Sequence, residues 1–353
     1  LFFILFCCFI HFCTELDTIV KILAALQAYI ASYCVSIWLI KLLFMCSCLK
    51  VKAENKCVLI TGCDSGFGNE AAVRCNKYGF KVFATCINPN GEGAKHLMNA
   101  AADPKRMIII ELDVTKDKDI ESAYETVKNS MSPSETLFGL VNNAGIATAT
   151  EFEFGADLTE CNKVIEVNLM GMIKVTRTFL PLIRRSKGRI LNVESVAGLL
   201  PIPHAIFYGV SKIGAAGFSD NLRVSMYKFS VTVVSINPWL YRTAITNAKN
   251  LMIQYENNFK NSSEEVRKAY GVKFMQQGKL GISATNLATK SDAVPKKILT
   301  ALTTYEPDPR YIVAPIIFQP VVAALLWMPR ESAEVAFQIG SWVFGQDRVY
   351  PEN

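Results

Sequence analysis

The chain has 353 residues, of which 51% are hydrophobic and 19% are charged. This composition excludes an intrinsically disordered chain and supplies a large core for one or two α/β domains. The net charge of +6 comes from Lys and Arg residues scattered without a basic block, so a nucleic-acid surface is not indicated. The positive excess is compatible with anionic lipid or a phosphate-bearing ligand.

The eleven cysteines do not form a disulfide pattern. Six lie in the apolar first fifth of the chain, none follows Cys161, and no CxxC pair occurs. With only three histidines, the sequence offers almost no zinc ligands. We therefore expect the thiols to be reduced, as in a domain that faces the cytosol, and we expect no metal site.

Residues 1–52 are predicted to form a hydrophobic membrane anchor. Residues 22–40 carry no formal charge and, at about 1.5 Å per residue, are just long enough to cross a hydrocarbon core of about 30 Å. We predict a transmembrane helix there, with a buried core helix as the alternative. Lysines on its C-terminal side place the rest of the chain in the cytosol by the positive-inside rule. The earlier apolar run, 1–13, is too short to span.

After the anchor, short apolar runs alternate with helix-length segments. This pattern predicts a parallel sheet covered on both faces, a doubly wound Rossmann-type α/β fold in a single domain over 53–353. The predicted strands are 57–61, 80–86, 107–112, 138–142, 189–193, 231–236 and 310–315.

The turn after the first strand, TGCDSGFG at 61–68, lies where a dinucleotide pyrophosphate would rest on a helix N-terminus. Glycine allows phosphate to approach the backbone, although a tight strand-to-helix turn would also explain the glycines. The candidate cofactor-binding residues here are Thr61, Gly62, Ser65, Gly66, Phe67 and Gly68.

The second strand indicates which dinucleotide would bind. Its end, 85–88, has neither an acid for the ribose hydroxyls nor a base for a 2′-phosphate, and Asp64 in the glycine turn would repel that phosphate. The sequence therefore favours NAD(H) over NADP(H). Asp113, after the third strand, is placed to hydrogen-bond the adenine amine, with an acidic helix cap as the alternative.

Tyr208 and Lys212 form a Tyr-x-x-x-Lys pair on one helix face. A tyrosine of pKa about 10 becomes a better acid-base group beside an ammonium, which favours the phenolate. A second copy, Tyr124 with Lys128, is separated from the first by its context. Ser195 lies 208 − 195 = 13 residues before Tyr208, whereas Glu111 holds that position before Tyr124.

The NNAG segment at 142–145 follows the fourth strand, at the sheet edge where ligands bind, and Asn168 lies on the next helix. TGCDSGFG, NNAG, Asn168, Ser195 and YGVSK together resemble the short-chain dehydrogenase/reductase superfamily. The resemblance implies a catalytic tetrad, with Tyr208 as acid-base and Ser195 polarising the carbonyl. The implied residues are Asn168, Ser195, Tyr208 and Lys212 for catalysis, and Asn143, Ala144, Gly145, Tyr208, Lys212, Pro238 and Thr243 for the cofactor.

In that resemblance, Lys212 would bind the nicotinamide ribose and lower the phenol pKa, and Asn168 would anchor a relay water. Residues 55–310 are similar to the membrane-bound branch of retinol and hydroxysteroid dehydrogenases and to its relative 3-hydroxybutyrate dehydrogenase. The chain departs from the family in three places. Trp239 replaces the glycine of a Pro-Gly pair, Glu194 replaces a serine beside Ser195, and the tail after 314 aligns poorly. Glu194 could bond locally or raise the phenol pKa.

The substrate side is predicted to include a helical lid at 244–285 and an apolar C-terminal segment at 311–345 that meets the bilayer. This segment would form an apolar mouth, an entrance to the substrate site at the bilayer. Such an entrance suits a lipophilic alcohol, of the retinol or hydroxysteroid class. The alternative 3-hydroxybutyrate would need a cation, and the sequence does not say whether Arg242 or another base supplies it. A third hypothesis, prompted by Trp239 in place of the glycine, is that the protein is a catalytically impaired, membrane-tethered binder of dinucleotide or lipid.

The expected partners are a small-molecule alcohol or ketone, membrane lipid and further copies of the chain in a homo-oligomer, with no nucleic acid. The branch implies the endoplasmic reticulum membrane with the catalytic domain facing the cytosol, and the mitochondrial inner membrane is the alternative. His204 is expected at the pocket rim without a catalytic role. The sequon at Asn261 would be silent in the cytosol.

Overall fold

Seven strands form one parallel sheet in the computed structural model, which describes residues 18–46, 50–288, 291–319 and 322. Every neighbouring pair is parallel, and the order is β3-β2-β1-β4-β5-β6-β7. The predicted doubly wound sheet is therefore confirmed. The strands are β1 Lys56–Ile60, β2 Lys81–Cys86, β3 Met107–Glu111, β4 Thr136–Asn142, β5 Arg189–Val193, β6 Thr232–Pro238 and β7 Arg310–Val313.

Helices connect successive strands, as right-handed crossovers between parallel strands require. The helices are α1 Thr18–Cys46, α2 Gly66–Tyr78, α3 Glu92–Ala100, α4 Asp117–Ser130, α5 Thr159–Ile165, α6 Met172–Arg185, α7 Ile206–Met226, α8 Ala248–Lys260, α9 Glu264–Ser283 and α10 Ala293–Thr303. A π-helix, Glu166–Gly171, joins α5 to α6, and short 3₁₀ turns lie at Val196–Gly198 and Ile316–Phe318.

The core lies on both faces of the sheet because successive strand residues point to opposite sides. In β1, Val58 and Ile60 pack with α2, α3 and α10 on one face, whereas Cys57 and Leu59 pack with α4 and α6 on the other. All four side chains are fully buried. Such strands have no polar face, which explains their uninterrupted apolar runs.

A smaller apolar cluster lies outside the sheet and holds the predicted lid. Tyr255 and Phe259 of α8 pack with Phe154, Met275 and Ile282. Helix α9 is kinked at Gly271, where φ is +72°. The lid predicted at 244–285 therefore consists of α8 and α9, packed on the segment that follows β4.

The chain divides into two units, residues 1–50 and 51–353. Helix α1 covers the stretch predicted to cross a membrane. None of the helices in the described ranges is long and apolar enough for such a crossing. The transmembrane span is thus not confirmed and stays a prediction. The apolar run 1–13 and nearly all of the tail beyond 319 lie outside the described residues.

Candidate active site

A cavity of about 1220 Å³ opens at the carboxyl ends of the strands. The strand order reverses between β1 and β4, and such a switch point is where open α/β sheets hold ligands. Thr61 and Gly68 lie beneath its wall. The other residues predicted for the cofactor border it: Gly62, Ser65, Gly66, Phe67, Asp113, Asn143, Ala144, Gly145, Tyr208, Lys212, Pro238 and Thr243.

The glycine turn and the NNAG segment are locked together. The Thr61 hydroxyl accepts hydrogen bonds from the backbone N–H groups of Asn143 (2.9 Å) and Ala144 (3.0 Å). The Asn143 amide donates to the carbonyls of Thr61 and Gly62. Gly62 has φ +69°, and a Cβ there would lie 2.7 Å from Ala144 Cα. Only glycine fits this position, so the backbone stays open at the N-terminus of α2, as a pyrophosphate requires.

Asp64 and Asp113 border the part of the cavity beyond β2 and β3. The Asp64 carboxylate accepts hydrogen bonds from the N–H groups of Ile87 (2.9 Å) and Asn88 (3.1 Å). The sequence analysis did not foresee this attachment of Asp64 to the end of β2. Burial alone would raise the Asp113 pKa, but Thr115 hydrogen bonds and the Lys116 ammonium outweigh it and hold that pKa below its ordinary value.

Three of the four predicted catalytic residues meet at the cavity wall. Ser195 begins the 3₁₀ turn after β5, and its hydroxyl accepts from Ala197 N–H at 3.1 Å and hydrogen-bonds Tyr208. Lys212 Nζ donates to the Val193 carbonyl at 3.2 Å and lies 5.7 Å from the Tyr208 ring centre. The 13-residue separation thus brings Ser195 and Tyr208 together.

Burial dominates the electrostatics of this group. It raises the pKa of the Tyr208 phenol, and the Ser195 hydrogen bond only partly opposes it. It also lowers the Lys212 pKa to about 8, against an opposing effect of Glu194. The net direction for the phenol is therefore opposite to the lowering that the Tyr-x-x-x-Lys pairing predicts. The reason is that burial of the phenol outweighs the lowering by the Ser195 hydrogen bond.

Asn168 lies behind the cavity wall, in the π-helix Glu166–Gly171, and is fully buried. Its side chain accepts from Ile146 N–H (2.8 Å) and donates to the Ile146 carbonyl (2.9 Å) and the Ser211 hydroxyl (3.0 Å). These hydrogen bonds fix the wall segment after NNAG. Its expected water-anchoring role remains a prediction.

Comparison with known proteins agrees with this geometry. The sequence matches the model of the short chain dehydrogenase family over residues 56–254. The chain belongs to the short-chain dehydrogenase family. It is 35% identical to mitochondrial D-beta-hydroxybutyrate dehydrogenase of Mus musculus, an alignment covering 73% of this chain and 77% of that one. It is 36% identical to human 17-beta-hydroxysteroid dehydrogenase type 6, over 73% and 80%.

A retinol dehydrogenase is similar as well: human retinol dehydrogenase 16 is 38% identical, over 63% of this chain and 68% of that one. Among solved structures, a short chain dehydrogenase/reductase from Burkholderia phymatum in complex with NAD has a TM-score of 0.64 at 20% identity, covering 81% of this chain and 96% of that one. That likeness shows the fold. The resemblance to the retinol, hydroxysteroid and hydroxybutyrate branch is confirmed.

Glu194, one of the departures from the family pattern, is buried and bonds locally. Its Oε1 accepts from the hydroxyls of Ser219 (2.5 Å) and Ser235 (2.8 Å). Burial raises its pKa, whereas these hydrogen bonds and the charges of Arg310 and Lys212 lower it in part. Of the two alternatives for this residue, the structure therefore supports local hydrogen bonding.

Trp239, the second departure, has room beside the cavity. Its backbone N–H donates to the Val313 carbonyl at 2.8 Å, and its ring stacks on Phe318 with 5.6 Å between ring centres. The ring also packs on a small cluster around Val196 and Leu200. The missing glycine is thus accommodated by apolar contacts at the edge of the sheet, and the cavity stays open.

On the substrate side, the structure adds residues that the sequence analysis missed. Glu160 and Lys163 of α5 border the cavity, opposite a row of amides on α8. Gln254 donates to Glu160 at 2.7 Å. Arg242 donates to the Ala288 carbonyl and is absent from the cavity wall. The spacing of 160, 163 and 167 on one helix face was the available signal. The α8 amides are Asn250, Gln254, Asn257 and Asn258.

His204 lies outside the cavity wall but ties three segments around it. Its Nδ1 lies 2.6 Å from Glu151 Oε1, and the buried Tyr255 hydroxyl of α8 donates to the same oxygen at 2.8 Å. The His204 carbonyl accepts from Thr150 N–H. This cluster connects the segment before Tyr208 to the lid. It gives His204 a structural contact, in keeping with the expectation that it is not catalytic.

Proposed function

We propose that this short-chain dehydrogenase uses NAD(H) to interconvert a lipophilic alcohol, of the retinol or hydroxysteroid class, with its carbonyl. The observation that carries the proposal is the meeting of Ser195, Tyr208 and Lys212 in the cavity that the glycine turn also borders. A polarising hydroxyl, an acid-base phenol and an ammonium are the groups that carbonyl reduction needs.

Each residue has a distinct task in this proposal. A bound nicotinamide would supply or accept the hydride. Tyr208 would exchange a proton with the substrate oxygen, while the Ser195 hydroxyl donates a hydrogen bond to that oxygen. The Lys212 ammonium would hold the ribose hydroxyls and stabilise the phenolate form of Tyr208. Asn168 would keep Ile146 and the cavity wall in place through its two backbone hydrogen bonds.

Asp64 supports the preference for NAD(H). Its carboxylate occupies the two N–H groups after β2, near the position of a cofactor 2′-phosphate in this fold. A second negative charge there would be repelled, and the N–H groups that could have bound it are already used.

Two observations bear on the substrate. The cavity wall includes the apolar residues Ile146, Leu251 and Ile253, which supports a lipophilic alcohol. Lys163 favours a second candidate, 3-hydroxybutyrate, because this residue borders the same cavity and forms no ion pair within the described part of the chain. An anionic substrate would give this cation a partner.

The test is NADH formation by the membrane-bound recombinant protein with all-trans-retinol, androstanediol and 3-hydroxybutyrate. Tyr208→Phe should lower turnover by about 100-fold or more, because it removes the acid-base hydroxyl. The matched control is Tyr124→Phe, in the second Tyr-x-x-x-Lys copy, which packs on Phe179 and should retain activity.

Turnover of 3-hydroxybutyrate alone would reject the lipophilic class, and Lys163→Met should then raise its KM. Cofactor binding without turnover of any substrate would instead support the third hypothesis, an impaired binder, and overturn the proposed reaction.

We further propose that the protein associates with membranes, at the endoplasmic reticulum or alternatively the mitochondrial inner membrane, as a homo-oligomer. The exposed side chains of Ile316 and Ile317 support an apolar mouth, since they adjoin Phe318, which stacks on the cavity residue Trp239. Apolar residues grouped at a cavity entrance are typical of sites that take ligands from lipid.

A further inference from the structure

Glu194 is a buried acid without a directly bound cation. It is 3% exposed, and it accepts hydrogen bonds from the neutral hydroxyls of Ser219 and Ser235. The Asn237 amide, oriented to donate, adds a third neutral partner at 3.2 Å from Oε2. A buried carboxylate is costly unless a nearby positive charge balances it.

Three cations lie near this carboxylate or its partner Ser235, and two of them already have an acid. On α7, Arg223 pairs with Asp220 at 2.7 Å, and Arg310 of β7 pairs with the same Asp220 at 2.9 Å. The third cation, Lys212, is 5% exposed, and no acid lies within ion-pair distance of it among the described residues. Its Nζ instead donates to the carbonyl of Val193, the residue before Glu194.

We propose that Glu194 is a positioning residue that acts through Lys212: its carboxylate is the counter-charge that keeps the buried Lys212 side chain as an ammonium ion beside Ser195 and Tyr208. The proposal rests on the proposed function only in that Lys212 belongs to the catalytic group. Each charge is buried without an ion pair, and Lys212 Nζ donates to the carbonyl of Val193, whose peptide bond leads directly to Glu194. Each therefore reduces the desolvation cost of the other.

The electrostatics agree with this pairing. Burial lowers the Lys212 pKa to about 8, and Glu194 is the group that opposes the shift. Burial raises the pKa of Glu194, and the Ser219 and Ser235 hydrogen bonds, the charge of Arg310 and then that of Lys212 oppose this rise. A serine, which the family resemblance gives at this position, would supply no charge. The exchange therefore adds a buried charge to the site.

The first test is a double-mutant cycle on the cofactor-free protein at pH 7, using Glu194→Gln, Lys212→Met and the double variant. Thermal unfolding is the readout. If the charges are coupled, Glu194→Gln lowers the unfolding temperature when Lys212 is present and has little effect in the Lys212→Met background. Additive effects would overturn the proposal. If Glu194→Gln does not fold, Glu194→Ser replaces it in the cycle.

The second test is the affinity for NADH, measured by titration calorimetry between pH 6 and 10. Without Glu194, Lys212 loses its proton at lower pH, so the alkaline loss of affinity should move down by about one pH unit. An unchanged profile would contradict the proposal. The control is Glu135→Gln, which removes a buried acid that pairs with Lys81 and should not move the profile.

The two tests separate the proposals. The cycle uses neither substrate nor cofactor, so a protein that binds no NADH or turns over no alcohol overturns the proposed function while the cycle still decides the role of Glu194.

Discussion

At the scale of single residues, Asp64 places a negative charge on two backbone N–H groups that could otherwise bind a phosphate. The N–H groups of Ile87 and Asn88 lie just after the end of β2 and would bind a phosphate if they were free. The carboxylate of Asp64 occupies both of them. The preference between the two dinucleotides is thus expected to depend on a residue in the glycine turn rather than on the end of β2.

We predict that Asp64→Asn relaxes this preference. Removing the charge should raise kcat/KM with NADP relative to NAD by about tenfold, which corresponds to about 1.4 kcal/mol of repulsion. Steady-state kinetics with both cofactors measure the ratio. Asp308→Asn, an equal change of net charge at an exposed site, should leave the ratio unaltered. An unchanged ratio in Asp64→Asn would assign the preference to another residue.

Buried thiols predict how stability depends on alkaline pH. Burial raises the Cys75 pKa from 9.0 to about 12. Above pH 9 the unfolded thiol has lost its proton while the folded one keeps it, so the unfolded state binds fewer protons and stability falls as pH rises. The contribution is fully present below pH 9 and is lost by about pH 12.

Cys75→Ala should therefore flatten the alkaline decline of the unfolding free energy by up to about 1.4 kcal/mol per pH unit. Denaturant unfolding at a series of pH values in reductant measures the slope. Cys161→Ala, at a partly exposed position, should follow the unmodified protein. Parallel slopes for Cys75→Ala would show that this thiol does not contribute.

At the scale of elements, α8 and α9, the predicted lid, pack in an apolar cluster of their own, separate from the two clusters on the sheet. Phe154, which follows β4, contacts the rings of Tyr255, Phe259 and Tyr270 with ring centres 5.0 to 5.3 Å apart. Because this cluster is separate from the two faces of the sheet, the lid can loosen while the sheet stays intact.

We predict that Phe154→Ala, which removes about 3 to 5 kcal/mol of packing, raises the KM for the alcohol more than it lowers kcat. Hydrogen exchange should show lost protection in α8 and α9 with β1, β4 and β5 unchanged. Phe179→Ala, in the main core, should instead lower protection in lid and strands together. Equal losses in Phe154→Ala would show that the lid unfolds only with the whole domain.

The elements differ in how far the sequence predicts them. Strand β1 contains the apolar run 57–60, and the positions of β1 and β5 are predicted to within two residues. The π-helix Glu166–Gly171 is not predictable, because its segment contains no residue that favours it. The π-helix accompanies contacts between segments distant in sequence, such as those of Asn168 with Ile146 and Ser211.

The candidate site shows the same division. Glycines, the Tyr-x-x-x-Lys pair and Ser195 carry local signals or fixed spacings, so the sequence is enough to group them. The attachment of Asp64 to the end of β2, the packing of Trp239 on Phe318 and the neutral partners of Glu194 join segments far apart in the chain. No local pattern specifies such contacts, and only the folded topology brings them together.

At the scale of the whole molecule, residues 51–353 contain the complete sheet and the cavity, whereas residues 1–50 form a separate unit. We predict that removing residues 1–50 leaves the thermal unfolding temperature of the remainder nearly unchanged but releases the protein from membranes under alkaline carbonate. Sedimentation of both forms, expressed in the same cells, measures the difference.

If the shortened chain still sediments with membranes after the carbonate wash, the predicted anchor at 22–40 is wrong. Replacing Ile316 and Ile317 by serine in the shortened chain would then test the apolar mouth as the attachment. These side chains are exposed, so the change should not disturb the core.

The position of Trp239 also makes the protein its own optical sensor. An indole at the cavity wall, stacked on Phe318, emits light that a bound reduced nicotinamide absorbs, whereas the oxidised form does not. The family's usual glycine offers no such signal. The redox state of a bound nicotinamide should therefore be visible in the tryptophan emission without any label, with Trp239→Phe as the control for the emission of the other three tryptophans.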